Sequence, residues 1–278
     1  MSSNLRRCIV AHNVVHLRAR PTNDSELVSQ TLMGRVLSVL REEAGWVWVE
    51  GDDTYRGWAD QRWLRPMGEM PLTETTVVFS ELRTAPSETA PLRMRLPILC
   101  GVYRTGERKD GFVRVLLPDG RTDGWLPQTA LTPLSNEPVD RLGVAAAEWG
   151  PDFLGTPYLW GGSSSFGLDC SGFVQLCYRL VGVLLRRDAD IQRDDPRWFH
   201  VKQEHLKPGD LVFFGKPDRI THVGMHLAGN TFIHSAGGAG VLVTEWGDER
   251  YSPGYVDARR IDPTRAAEPV TRFEAEDR

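Results

Sequence analysis

The sequence predicts an α+β fold: a cysteine-bearing helix packed on an antiparallel sheet, preceded by two small all-β units. Three observations predict it. The first half repeats itself in short period-two runs cut by Gly, Pro, Asp and Asn. Near residue 140 the texture becomes Ala- and Leu-rich, with apolar residues at helical spacing. Three alternating runs then follow a helix, which gives α+β and not a doubly wound sheet.

The repeat is visible by eye. The segment 17-LRARPTNDSELVSQTLMGRVLSVL-40 aligns with 82-LRTAPSETAPLRMRLPILCGVY-103, and 45-GWVWVEGDDTYRGWADQRWL-64 with 111-GFVRVLLPDGRTDGWLPQTAL-131. Leu17 pairs with Leu82, Gly45 with Gly111 and Gly57 with Gly124, at offsets of 65, 66 and 67 residues. WVWV and FVRV are period-two strands, and each Gly-Trp marks a turn into a last strand. Each copy is read as five or so strands. The segment 133-PLSNEPVD-140 reads as a linker.

The segment 140-DRLGVAAAEWGPDFL-154 reads as a helix, and 155-GTPYLWGGSSSFG-167 as a Gly/Ser loop. The loop leads into 168-LDCSGFVQLCYRLVGV-183. There Cys170, Phe173, Val174, Cys177, Leu180 and Val181 recur at three- and four-residue steps, an amphipathic helix with Asp169 as its N-cap. The runs 208-PGDLVFF-214, 221-THVGMHL-227 and 230-NTFIHSA-236 read as three antiparallel strands. Domain boundaries are expected at 1–68, 69–135 and 136–263. A loosely held, charged tail is expected over 264–278.

Composition narrows the function classes. A chain of 278 residues with 41% hydrophobic residues and a formal charge of −4 has a real core. It lacks the basic run of a nucleic-acid binder. The apolar stretch Cys8-Ile9-Val10-Ala11 is too short for a secretory signal, and no segment approaches a membrane span. A cytoplasmic, monomeric protein without membrane or nucleic-acid partners is expected.

The four cysteines are Cys8, Cys100, Cys170 and Cys177, with no CxxC pair. Cys8 and Cys100 sit in apolar runs and read as small buried hydrophobes. Cys170, at the first turn of its helix, faces the positive end of the macrodipole, which favours thiolate. Taken alone it is either a buried structural thiol or a nucleophile.

The histidines bear on that choice. A turn over 228-AGN-230 pairs 227 with 231, and so sets His222 opposite residue 236 and His234 opposite 224. The two rings are then diagonal neighbours, about 7–8 Å apart at Cα. A thiol nucleophile needs a base, and the base a third group that fixes its tautomer. Cys170, His222 and His234 fill those roles in that order, or the histidines are ordinary polar strand residues. His226 shares the face of His222 and reads as a bystander. His12, His16, His200 and His205 read as solvated surface. No HExxH or carboxylate at ligand spacing supports a metal site, so no metal and no cofactor is expected.

At this point two resemblances appear. The pattern LRxxP…GWV…GW…L is similar to bacterial SH3-like domains, over about 5–66 and 72–134. The strings 157-PYLWGG-162, 167-GLDCSGF-173, 207-KPGDLVFF-214, 222-HVGMHL-227 and 233-IHSA-236 resemble the NlpC-type cell-wall peptidases, which are papain-like cysteine enzymes. This resemblance implies Cys170 as nucleophile, His222 as base and His234 as orienter. It also implies Tyr158 as an oxyanion donor beside the Cys170 N–H, and a peptidoglycan stem peptide as substrate.

Two SH3-like modules with GLDCSG resemble the γ-D-glutamyl-L-diamino acid endopeptidases that recycle murein peptides. That resemblance implies Asp169 as counter-charge to the free amine of L-alanine, Tyr55 closing the alanine pocket and Glu26 helping to hold the amine. Ser171 and Asp188 line the cleft in the same comparison, and the first module acts as a wall of the site. Two other readings stand beside it: an amidase or acyltransferase with the same Cys-His pair, and a wall-binding protein with a dead peptidase domain.

Overall fold

The computed structural model describes residues 6–67, 72–134 and 136–271. The chain divides into two compact units, residues 1–52 with 56–134, and residues 53–55 with 135–278. The boundaries expected near 68 and 135 fall on residues outside those described.

The first unit holds two sheets. One contains β1 (Arg7–Val10), β2 (Val14–Arg18), β3 (Leu27–Leu32), β4 (Val36–Glu43), β5 (Trp46–Glu50), β6 (Arg56–Asp60) and β7 (Leu64–Pro66), in the order β3-β2-β6-β5-β4-β1-β7. The other contains β8 (Thr73–Glu74), β9 (Phe79–Arg83), β10 (Leu92–Pro97), β11 (Gly101–Lys109), β12 (Phe112–Leu116) and β13 (Asp123–Pro127), ordered β10-β9-β13-β12-β11-β8. The first six strands of the one order correspond to the six of the other, as the repeat predicts, and β7 has no counterpart. Each sheet has more strands than the five expected, because short strands β1, β7 and β8 carry too few residues to alternate visibly.

WVWV buries Val47 and Val49 and leaves Trp46 and Trp48 half-buried, the period-two pattern of a sheet with one wet face. With Val10, Val15, Leu17, Leu37, Ala59 and Leu64 these valines fill the first core. The two sheets meet backbone to backbone: Gly101 donates its N–H to the Met33 carbonyl at 2.7 Å. A Cβ on Gly34, whose φ is +84°, would lie 2.5 Å from the Gly101 Cα, so glycine is required there on both counts.

The second unit begins with α1 (Leu142–Trp149), continued by a 3-10 turn over Gly150–Phe153. A small hairpin of β14 (Ser163–Ser164) and β15 (Gly167–Leu168) precedes α2 (Cys170–Leu180) and a short α3 (Ala189–Arg193). A six-stranded antiparallel sheet completes it. Its strands are β16 (Trp198–His200), β17 (Leu211–Lys216), β18 (Arg219–His226), β19 (Thr231–Ala236), β20 (Gly240–Glu245) and β21 (Tyr255–Ile261), in the order β16-β21-β17-β18-β19-β20. The three expected strands are its centre, β17, β18 and β19. α3 and the outer strands were not foreseen.

Helix α2 packs on β18 and β19. It starts because Asp169, in extended conformation, accepts the Gly172 N–H, and it stops where Gly182 takes φ +81°. Phe173, Val174, Cys177 and Leu180 are buried. Burying each larger apolar side chain stabilises by roughly 1.5–3 kcal/mol. The expected polar face is largely absent. Ser171 and Gln175 are buried too, because each has hydrogen-bond partners inside the unit.

Residues 264–271 depart from the loose tail expected. Ala266 and Val270 are buried, Arg265 bonds the Pro196 carbonyl, and Arg197 donates to the Glu268 carbonyl at 3.2 Å. These anchors are an alanine and a valine in a polar run, too sparse to read as a pattern. Residues 272–278 lie outside the described residues. Among the described residues, no helix is long and apolar enough to cross a membrane.

Candidate active site

The centre of the second unit is where α2 begins against β18. The Cys170 side chain is 9% exposed. It has backbone hydrogen bonds with Val223 of β18 and with Ser171. Val223 directly follows His222, so the strand that bonds the sulfur also carries the imidazole.

His222 sits on β18 and His234 on β19. The strands pair Met225 with Ile233 and His226 with Phe232, the register that the 228–230 turn predicts. The rings meet with His222 Nε2 2.8 Å from His234 Nδ1. Beyond them, His234 Nε2 lies 2.9 Å from Thr244 Oγ1 on β20. One proton arrangement satisfies this chain and leaves a free lone pair on His222. In it His222 Nε2–H donates to His234 Nδ1, His234 Nε2–H donates to Thr244, and His222 Nδ1 keeps its lone pair.

An aromatic cage holds the two rings. Tyr251 stacks on His222 at 5.8 Å and meets His234 edge-on at 4.5 Å, while Phe214 and Phe232 pack on the other sides. This desolvation keeps both imidazoles neutral: His222 is lowered to about 4 and His234 to about 3. Tyr251 lies in 248-DERYS-252, with no spacing signal that points to it.

The thiol departs from expectation. Burial, reinforced by the Asp169 charge, pushes Cys170 up to about 11, against the Val223 and Ser171 N–H groups and Arg187. Desolvation is the largest influence on the thiol. Cys170 rests as a thiol, and His222, on the strand that bonds it, rests as a neutral imidazole.

Asp169 caps α2 as expected, and other groups of the unit also bond its carboxylate. Its Oδ1 accepts from the Gly172 N–H at 2.7 Å, its Oδ2 from the Gly161 N–H at 2.9 Å, and Arg187 grips both oxygens at 3.0 and 2.6 Å. Ser171 Oγ adds a bond at 3.2 Å and itself accepts from Arg187 at 2.9 Å. Arg187 is 1% exposed. A carboxylate already neutralised by a bidentate guanidinium has little charge left for an amine. Arg187 lies in 186-RRDADIQ-192, a segment that resembles part of the cleft, but no spacing signal pairs it with Asp169.

Gly172 explains the rest of the CSG string. A Cβ there would lie 2.2 Å from the Gly162 carbonyl oxygen, so the helix start and the 157–162 loop touch through bare backbone. That loop carries Tyr158, half-buried, bridged to Leu168 and near enough to feel Cys170; burial and that charge push its hydroxyl up to about 12.

Asp188 and Tyr55 form a second cluster in the same unit. Tyr55 donates its hydroxyl to the Asp188 carboxylate. Burial raises Asp188 to about 6 despite Arg187 and the Tyr55 bond. The turn carrying Tyr55 is strained: Thr54, β-branched, has φ +66°. Such a residue costs on the order of 1–3 kcal/mol and persists where its surroundings fix it. Glu26 belongs to the other compact unit. It lies exposed in the first unit just before β3, its carbonyl accepting the Ala19 N–H at 3.1 Å.

Thus Cys170, His222, His234, Tyr158, Asp169 and Ser171 converge around the start of α2, and Asp188 with Tyr55 joins them through Arg187. Among the described residues no group of three or more His, Cys, Asp or Glu is arranged to hold a metal ion. A thiol beside a base that is oriented by a third polar group can perform covalent acyl transfer.

The NlpC/P60 family matches residues 155–260, and the bacterial dipeptidyl-peptidase Sh3 domain matches residues 17–62. A Bacillus cereus protein named gamma-D-glutamyl-L-lysine dipeptidyl-peptidase is 30% identical over 269 residues, covering 87% of this chain and 77% of its own. Dipeptidyl-peptidase 6 of Lysinibacillus sphaericus is 25% identical over 262 residues, covering 87% and 92%. In fold, the crystal structure of an NlpC/P60 family protein from Bacillus cereus matches with a TM-score of 0.77 at 24% identity, over 92% of this chain and 99% of that one. The first of these relatives is matched over more than two thirds of its own length. The chain therefore belongs to the NlpC/P60 family and is a cysteine peptidase.

Proposed function

We propose that this peptidase hydrolyses the bond between γ-D-glutamate and the diamino acid of peptidoglycan stem peptides that carry a free N-terminal L-alanine, releasing L-Ala-γ-D-Glu. The observation that carries this reading is the Asp188–Tyr55 pair in the same compact unit as Cys170. A partly desolvated carboxylate that accepts one phenolic O–H retains acceptor sites for an ammonium group. The names of the relatives, gamma-D-glutamyl-L-lysine dipeptidyl-peptidase and dipeptidyl-peptidase 6, support the same bond type.

In the reaction, His222 Nδ1 takes the Cys170 thiol proton as the sulfur attacks the γ-carbonyl carbon. The C–S bond forms, and the oxyanion is met by the Cys170 backbone N–H and the Tyr158 hydroxyl. The C–N bond breaks as His222 returns the proton to the leaving amine. Water, deprotonated by His222, then hydrolyses the thioester and regenerates the thiol. His234 holds the His222 ring throughout. Asp169 anchors Arg187 and caps α2, and the amine falls to Asp188 and Tyr55, with Ser171 lining the cleft. The second sheet of the first unit is read as a further SH3-like module, on its matching strand order.

A free-amine substrate suits stem peptides already released from glycan, which is the logic of murein recycling. Mass spectrometry of a digest of L-Ala-γ-D-Glu-meso-diaminopimelate tests the bond assignment. The dipeptide L-Ala-γ-D-Glu is the expected product; free L-alanine as the first product would contradict it.

A further inference from the structure

Residues 53–55 lie in sequence between β5 and β6, yet they belong to the unit that holds the cysteine. Their hydrogen bonds say why. Asp53 Oδ2 accepts from Gln175 Nε2 at 3.0 Å, and Gln175 stands on α2, five residues after Cys170. Asp53 Oδ1 accepts the Tyr55 backbone N–H at 3.1 Å. The Tyr55 hydroxyl then reaches Asp188.

The bonds close into a ring. Asp188 adjoins Arg187, which bonds Asp169 and Ser171 at the start of α2, while Gln175 returns to Asp53 from the middle of the same helix. Gln175 is itself fixed, because its Nε2 also donates to the Leu185 carbonyl at 2.9 Å. Between Asp53 and Tyr55 sits Thr54, in the left-handed region that a β-branched residue avoids. A strained backbone held by bonds on both flanks is the mark of a turn kept for its geometry and not for its own stability.

We propose that Asp53 and Gln175 are positioning residues that set the Tyr55 hydroxyl on Asp188, and so govern recognition of the substrate's free amine. This deepens the preceding proposal and rests on it for the identity of the substrate. Asp53 touches no reacting atom in this account. It acts through Tyr55, by holding the one backbone N–H from which the phenol swings. Its loss frees the ring to leave Asp188 while Cys170 and His222 remain as they are. The effect falls on KM, since amine binding is used equally by ground state and transition state.

The test is a double-mutant cycle of Asp53→Ala and Tyr55→Phe on the full chain, with L-Ala-γ-D-Glu-meso-diaminopimelate as substrate. Asp53→Ala is expected to raise KM about tenfold, the size of one hydrogen bond to a charged group. It should change kcat by less than about twofold. The double variant should be no worse than Tyr55→Phe alone, because both act through one contact. A second readout is the carbon-13 titration of the Asp188 carboxyl. The groups facing it are Tyr55, Arg187, Asp190 and Asp169. Losing the Tyr55 bond moves its titration upward, and Asp53→Ala should do so as Tyr55→Phe does.

Additive effects in the cycle, or an unmoved Asp188 titration in Asp53→Ala, overturn the proposal. An unchanged KM in Tyr55→Phe defeats the amine-pocket reading instead, and the Asp188 titration then decides the positioning role alone. Asp53→Asn keeps the shape and removes the charge. It supplies the same two readings at smaller size if Asp53→Ala does not fold.

Discussion

His222 and His234 meet Nε2 to Nδ1 at 2.8 Å from neighbouring strands, and Thr244 holds the far nitrogen of His234 at 2.9 Å. In the proposed mechanism His222 Nε2–H donates to His234, Nδ1 of His222 is the basic nitrogen and His234 is its orienter. A second imidazole stands where a carboxylate stands in a Ser-His-Asp triad, and the Asp169 charge, which favours the protonated form of His222, is outweighed by burial.

Removing the orienter tests that relay. His234→Ala should lower kcat by about 10²–10⁴-fold, since His222 loses its tautomer and its ring position together. Thr244→Val should cost less, about two- to tenfold, one neutral hydrogen bond. Steady-state kinetics on a stem tripeptide separate the two. An equal loss for both would contradict the order of the relay.

The pH dependence follows from desolvation. His222 is lowered to about 4, so it stays a competent base well below neutrality, and kcat/KM should fall as pH drops through that value. Stability has the same sign by a separate route. Both histidines are depressed in the folded state, so between their folded values and the ordinary 6.5 the unfolded chain binds more protons. Their contribution is complete above about 6.5 and is lost as pH falls toward the folded values. Urea midpoints at pH 7.5 and 5 should differ in that direction, and His222→Phe with His234→Phe should flatten the difference.

Asp169→Asn is expected to destabilise by about 3–5 kcal/mol, because it leaves the Arg187 guanidinium buried without its carboxylate. The new amide oxygen still accepts the Gly172 N–H, so the loss in a denaturant titration reports the ion pair and not the cap. A loss near 1 kcal/mol would mean that the ion pair contributes nothing net.

Gly172→Ala should cost activity before it costs the fold. Its Cβ would meet the Gly162 carbonyl at 2.2 Å and push the start of α2 off the loop that carries Tyr158. A displacement of about 1 Å at a catalytic centre is worth on the order of a hundredfold in rate. A wild-type kcat in a folded Gly172→Ala protein would show that the close approach is dispensable.

Much of this site is legible in the sequence, because its parts are local. The Asp169 cap, the stripe on α2 and the 228–230 turn fix the helix start and the β18–β19 register within short stretches of chain. What the sequence hides is long-range. Arg187 neutralises Asp169 from 18 residues away, Tyr251 cages both histidines, and Asp53 bonds a helix 122 residues further on. The thiol was misjudged for a related reason. A helix dipole is readable from position, but burial to 9% exposure is the work of the whole unit.

The most direct measurement is a paired digestion of L-Ala-γ-D-Glu-meso-diaminopimelate and the same peptide acetylated on its amine, followed by mass spectrometry. Cleavage of the free peptide, loss of that cleavage in Cys170→Ala and an intact acetylated peptide are predicted. Equal cleavage of both peptides would contradict the account, since Asp188 and Tyr55 would then read no amine.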